Sequence, residues 1–487
     1  MAPEREETIA HLFRRAGFGA SDAELTAFAR AGIGGFTASV AYVVNYQAQP
    51  DDVDQYIGTP GYVGTTSRAG FSPRTVIDDA RQRWLFRMVH SKRPLQEKMA
   101  LFWHNHFATA HSKIAGDTSS EEATRLLAAT PSEDPAGVKG QLELLRERAL
   151  GNFRDLLVAI AQDPAMLFWL DGRSNVKAHP QENFARELME LFTMGVDTFA
   201  ESDVYAGARV FTGWNLARSG TGATAHYAFT FVAAQHDTTA KDFTFAIYPG
   251  GGRTIPARSG AAGMQDGLDL LNAVAAHPAT GPRLARKLYA FFINEVDQAD
   301  EDLIEEIAAI YYARGFEIEP MVRRLLLSPQ FLEQSNFYKR YAWPAEFVVR
   351  SLKEVGWIGF SVADALAPMA NMGQQLLEPP DVSGWHLGEG WFSTGAMLAR
   401  MNFAAQLATN QKFQLRDAFR VAGATADSVL SEALDRLLPA DYDADGRSAL
   451  LGYLDAGGAW NGSDGQLVVK VPGLVHLIVG SGEYQVI

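Results

Sequence analysis

The chain has 487 residues, 47% hydrophobic and 21% charged, with no cysteine and a formal net charge of −14. A chain of that length buries a large core without staples, and the lack of cysteine excludes disulfides, thiolate metal sites, iron–sulfur clusters and cysteine nucleophiles. The acidic balance repels phosphate backbones, and the densest basic run, "RPLQEK" with Arg87, Lys92 and Arg93 beside it, is too short and mixed to bind nucleic acid.

The N-terminal "FRRAGFG" carries adjacent arginines, but the acidic "ASDAELTAF" follows where a twin-arginine leader needs an apolar run. No targeting segment is read, so the chain is expected to be either cytoplasmic or written without its leader, and its localisation stays open. Ser21 with Glu24 three residues on predicts a capped helix ending before Gly32. Residues 49–72 are rich in Gly, Pro and Asp and predict a loop. From 73 to about 107 the apolar spacing turns helical, with a break at Pro94. The Ser/Thr-rich 112–135 predicts a polar link, and 138–170 and 180–215 predict helices. Over 218–262 the segments "AHYAFTFVAAQHD" and "KDFTFAIYPGGG" alternate aromatic with small or polar residues, which predicts a β-hairpin with His236 and Asp237 near its turn. Helices resume over 264–357, a Pro/Gly/Trp loop fills 373–394, and a helical tail closes the chain. The longest apolar stretches are interrupted or too short to span a membrane. The expected fold is mainly α, multi-helical and globular, with a small β-hairpin insertion around 224–250. The length suits three domains or one large unit; sub-regions are drawn at 1–135, 136–217, 218–262 and 263–487.

Three patterns carry chemistry. "FWHNHFATAH" places His104, His106 and His111 within eight positions, out of 11 histidines in all. His104 and His106 point roughly 200° apart on a regular helix, so they converge on a metal only where the helix ends. The competing reading is a pair of core histidines. In "QENFARELMELFTMG", Glu182, Arg186 and Glu190 form an i, i+4, i+8 row, which if exposed is a solvated charged face worth about 0.3–0.5 kcal/mol per pair. Glu187 and Glu190, three apart, are spaced to meet one cation, as in helix-bundle carboxylate sites. "QHDTTAK" offers His236 and Asp237 on a turn, and Arg209 lies in "ESDVYAGARVFTGWN". No phosphate-binding glycine loop or nucleophile elbow is present, so no nucleotide cofactor is expected. No haem-attachment motif is present either.

Together "HLFRRAGFG", "LQEKMALFWHNHF", "ENFARELMELFTMGVDTFAESDVYAGARVFTGWN", "HDTTAK", "LARKLYAFFI", "EPPDVSGWHLGEGWFST" and "GLVHLIVGSGEYQ", in that order, resemble the bacterial family catalogued as domain of unknown function 1800. The resemblance covers nearly the full length as one family unit. It implies that the Trp-His-Asn-His-Phe and Glu-Asn-Phe-Ala-Arg-Glu-Leu blocks are family hallmarks. It also implies relatives that are often exported and encoded beside a sulfatase-like partner.

The leading expectation is a metal-dependent enzyme, most simply a hydrolase. His104, His106, Glu187 and His236 would hold one divalent cation (Zn, Mn or Fe), Glu190 or Asp237 would act as general base, and Arg209 or Arg186 would bind an anionic group. A 2-His-1-carboxylate set also suits a non-haem iron oxidoreductase. The alternative is a non-catalytic helical scaffold that binds a partner protein encoded nearby through the Trp-rich 384–392 loop, with Glu187 and Arg209 as a buried structural pair.

Overall fold

The Ser21 hydroxyl accepts from the Glu24 backbone N–H, and the Glu24 carboxylate accepts from the Ser21 N–H at 2.7 Å, so the helix Asp22–Arg30 starts with a reciprocal cap. Such a cap is worth about 1 kcal/mol. Pro94 opens the helix Pro94–His106 at a position where a missing N–H costs nothing, and so separates it from Ile77–His90. The same rules repeat along the chain. The computed structural model describes residues 3–65, 70–134, 136–420, 425–437 and 440–487 and places 24 α-helices there. The expected loop 49–72 is irregular apart from a short 3₁₀ turn, and its residues 66–69 lie outside the described residues.

The mainly α fold with a small β hairpin is what the sequence predicts, with two local differences. Residues 112–135 are not a link: they form the helices His111–Asp117 and Ser120–Ala128, the second capped by the Ser119 side chain. Their polar composition misled because buried Ala123, Leu127 and Ala128 supply the packing face, while Ser119 serves the cap, Ser120 and Glu121 face solvent, and buried Glu122 is bonded by Arg218 and Tyr227. In the insertion, the strand His226–Phe231 pairs antiparallel with Trp214–Ser219, with Trp214 opposite Phe231, and not with the segment after residue 240. That later segment makes only a two-residue pair, Lys241–Asp242 with Thr254–Ile255. Alternation shows which residues make a strand; cross-strand aromatic pairing chooses the partner.

The buried apolar side chains form one continuous cluster from Leu12 to Ile487. The helix Pro94–His106 lies inside it, buried at every residue from Leu95 to His106 except Asn105. Burial on all sides leaves its charged residues dependent on partners. Glu97 accepts from Arg146 at 2.9 Å, and Lys98 is paired with Glu346. No single helix among the described residues is long and apolar enough to cross a membrane.

Candidate functional site

The end of the Pro94–His106 helix joins several parts of the core. Trp103 Nε1–H donates to the Ala149 carbonyl at 2.8 Å. His104 points the other way, its ring edge-on to Trp84 and Trp385 with centroids at 5.5 and 5.4 Å. Its Nε2 is buried without a partner, and burial lowers its pKa to about 3, so it is a neutral ring between two indoles. Asn105 Oδ1 accepts from the Trp385 N–H at 2.8 Å. The preceding Gly384 has φ +89°, and a Cβ there would lie 2.3 Å from Asn105 Oδ1, so only glycine lets the 384–392 loop dock this closely. Trp385 and Trp391 are buried by that docking, which removes them as a surface anchor. His111 lies apart, its Nε2 near the Ser120 carbonyl at 3.1 Å and the Thr124 hydroxyl at 3.2 Å.

His106 faces a different environment. The helix Asn183–Glu187 continues into a π-turn over Leu188–Phe192. Such a turn is wider than an α-turn and leaves its last carbonyls without intrahelical partners, a feature frequent at functional sites. His106 Nε2–H donates to the Phe192 carbonyl at 3.0 Å, and Arg283 Nη2 donates to the Leu191 carbonyl at 3.3 Å. The other imidazole nitrogen, Nδ1, accepts from Lys287 Nζ at 3.0 Å. Lys287 and Arg283 sit four apart on one face of the helix Thr280–Phe292. Burial, reinforced by Arg283, lowers the Lys287 pKa to about 7. Burial, reinforced by Lys287, holds His106 well below its ordinary value. Lys287 has no ion pair among the described residues, and the buried Arg283 Nε has no acceptor.

The π-turn also redirects the expected charge row. Arg186 bonds Glu182 at 3.1 Å, but its second partner is Glu201 at 2.7 Å rather than Glu190. Glu190 instead contributes to the field at Arg283. Burial, then repulsion from Glu190, raises the Glu187 pKa. Both carboxylates are half-buried and have no hydrogen bond or ion pair among the described residues.

His236 and Asp237 belong to another set of contacts. His236 Nδ1 bonds the Thr212 carbonyl at 2.8 Å, and its Nε2 lies 3.1 Å from Asp266 Oδ2. Asp266 also accepts from Lys241 at 2.5 Å and from Arg258 at 2.7 Å, and Arg258 reaches Asp269 at 2.6 Å. Burial would raise the Asp266 pKa, but the bonds from His236, Lys241 and Arg258 outweigh it and lower it. A Cβ on Gly263 would lie 2.4 Å from His236 Cδ2, so the ring is sealed by backbone. Arg209 pairs with Asp237 at 2.8 Å, not with Glu187. Burial opposes ionisation of Asp237, and Arg209 with Thr239 overrides it, holding the carboxyl well below the usual range.

With His111 and Arg186 outside them, the residues singled out in the sequence fall into three contact sets. His104 sits between tryptophans. His106 joins Lys287 and Arg283, with Glu190 and Glu187 alongside. His236, Asp237 and Arg209 tie the β insertion to its helices. Among the described residues no three His, Asp or Glu side chains are grouped so as to hold a metal ion. Sequence reading missed Lys287 and Arg283. Their i, i+4 spacing in "RLARK" is ordinary surface patterning, and nothing local shows that His106, 181 residues earlier, meets it. A shallow cavity of about 290 Å³ between Pro368, Asn371, Leu398, Asn402 and Phe403 has no titratable side chain in its lining. It offers no acid–base chemistry, so the Lys287–His106 pair is the stronger candidate.

The chain belongs to the family described as "Protein of unknown function (DUF1800)", whose model matches residues 11–486. No curated protein and no solved structure matches it.

Proposed function

We propose that this protein is an enzyme whose acid–base centre is the Lys287–His106 pair. The observation that carries the reading is a contrast among the lysines drawn into the protein, three of them buried and Lys287 half-buried. Lys98 pairs with Glu346, Lys241 with Asp266 and Lys353 with Glu24, whereas Lys287 meets only a neutral imidazole. A lysine drawn largely out of water without a carboxylate is lowered toward neutrality, so that much of it is unprotonated near neutral pH, the form needed for a general base or a nucleophile toward a carbonyl carbon. His106 holds the amine at Nδ1 and passes the polarisation to the Phe192 carbonyl through Nε2–H. Arg283, with its Nε unused, is placed to bind an anionic group of the substrate. Hydrolysis is the simplest reaction these groups support: Lys287 takes a proton from the water that attacks a carbonyl or ester carbon, while Arg283 orients a substrate carboxylate.

The reading is tested without knowing the substrate. Limited modification with trinitrobenzenesulfonate, followed by peptide mapping, should label Lys287 ahead of the surface lysines, with half-maximal rate near pH 7. If Lys287 reacts no faster than lysines that titrate near pH 10, the proposal fails. His106→Leu should shift that midpoint.

A second reading keeps the metal-dependent hydrolase, on the observation that Glu187 and Glu190 are adjacent, half-buried and unpaired. A divalent cation (Zn, Mn or Fe) would relieve their repulsion. Elemental analysis of the wild type beside Glu187→Gln and Glu190→Gln tests it: a transition metal lost in both variants supports it, and no metal after reconstitution sinks it. If both tests fail, the non-catalytic scaffold is the reading left.

A further inference from the structure

The helix Pro3–Arg15 delivers an unusual side chain to the interior. Arg14 is 2% exposed, and its Nε, Nη1 and Nη2 are all buried without an acceptor. A guanidinium stays charged inside a protein and offers five N–H donors, so an unpaired one is among the most costly groups to bury. Native structures rarely leave such a group unexplained. Three residues earlier, on the same face of that helix, His11 is 2% exposed and its Nδ1 is also unpaired, while its Nε2 bonds the Phe331 carbonyl at 3.1 Å.

The surroundings deepen the deficit. Arg15 is fully buried and spends its Nη1 and Nη2 on the carbonyls of Ile293 and Asn336 at 2.7 and 2.9 Å. Arg340, also fully buried, gives Nη1 to Glu346 at 2.7 Å and leaves Nε and Nη2 without acceptors. Lys98, whose Nζ lies 3.4 Å from the Arg14 carbonyl, shares Glu346 with Arg340. The carboxylate whose field reaches Arg14 is Glu354, and its oxygens are taken by Arg350 Nε and by the Tyr484 hydroxyl. Glu346 and Glu354 are therefore committed to other partners, and Glu295, whose Oε1 accepts from the Tyr341 N–H at 2.7 Å, acts on Arg15 and Arg340 without bonding Arg14. Tyr338 lays its ring over the Arg14 guanidinium at 5.3 Å, and does so from a left-handed backbone conformation, φ +56°, that a non-glycine residue adopts only when its surroundings enforce it.

We propose that this buried cluster of unpaired guanidinium donors is a binding site for a small oxoanion, held bidentately by Arg14 beneath the Tyr338 ring. Two neighbouring oxygens on one atom match the guanidinium fork, and the anion supplies the counter-charge that Arg14 lacks. The proposed site shares no residue with the Lys287–His106 pair. Phosphate or sulfate and a small carboxylate share this chemistry, and the experiment separates them.

The full chain is dialysed exhaustively into chloride buffer, denatured, and the released anions identified by ion chromatography. In parallel, Tm is followed against inorganic phosphate, sulfate and formate, each at an ionic strength matched with sodium chloride. The expected result is a stoichiometric oxoanion on release, or a Tm that rises logarithmically with one of the three anions and not with chloride. Arg14→Met should lose both. If Arg14→Met does not fold, Arg14→Lys keeps the charge without the fork and should lose the preference for oxoanions over chloride. A wild type that retains no anion and responds to all salts alike would overturn the proposal, leaving water as the partner of Arg14.

Discussion

The Lys287–His106 cluster and the β-insertion anchor contain the same two residue types, a buried histidine with a lysine within 3.4 Å of it, yet they are opposite in kind. In the anchor, Asp266 lies between His236 and Lys241, Arg258 adds a second cation, and Asp269 with the Tyr248 hydroxyl completes the circuit. Every charge there has a counter-charge. Around Lys287 no carboxylate among the described residues bonds the lysine, and the imidazole receives it. A closed circuit holds structure together and has nothing left to offer a substrate. An open one costs stability and is poised to accept a proton or attack a carbon.

The comparison is broken most severely at its closed end. Asp266→Ala would leave Lys241 and Arg258 uncompensated around a buried cavity, and should destabilise the protein by about 3–5 kcal/mol, read as a lowered midpoint in urea. A loss under about 1 kcal/mol would mean that the anchor is not a paired circuit.

Lys287→Met should act in the opposite direction. The lysine's folded pKa of about 7 lies below its ordinary 10.5, so between those values the unfolded chain binds the extra proton and the native state does not. Wild-type stability from this group is therefore full above pH 10.5 and lost as pH falls to about 7. The methionine variant should be more stable near pH 7 by on the order of 1–3 kcal/mol, with the gap narrowing toward pH 9, while amine labelling at this position disappears. Equal stability at both pH values would place Lys287 in water.

His104→Leu sharpens the contrast from a third side, because its ring has burial without any charge partner. With a folded pKa of about 3 against an ordinary 6.5, wild-type stability should fall as pH drops from about 6.5 toward 3, since only the unfolded state takes up the proton there. The leucine variant should lack that acid-sensitive component and lie within about 1.5 kcal/mol of wild type at pH 7. The smallest effect is expected at Asp237→Asn, a partly exposed pair with Arg209, at up to about 1 kcal/mol and weakened by salt.

Local signals were legible wherever the physics is local. Ser21 and Glu24 cap the helix they predict, Pro94 falls at the helix start it predicts, and the opposed faces of His104 and His106 follow from helical geometry. The i, i+4, i+8 row of Glu182, Arg186 and Glu190 failed at its last member because the π-turn at Leu188–Phe192 adds a residue to the turn, and apolar spacing carries no mark of that insertion. The strand His226–Phe231 was legible as a strand, but its partner was not, since alternation is the same whichever strand lies alongside.

By itself, then, the sequence determined the helical class, the helix starts at Ser21 and Pro94, the small β insertion, the family, and the fact that polar residues sit within apolar blocks. Tertiary structure alone decided what those polar residues do. A histidine's chemistry is set by the group that reaches its other nitrogen, and those groups arrive from far along the chain: Lys287 for His106, Asp266 for His236, and Trp385 against the ring of His104. Burial raises the energy of every charge, and only packing in three dimensions determines which of them find a partner.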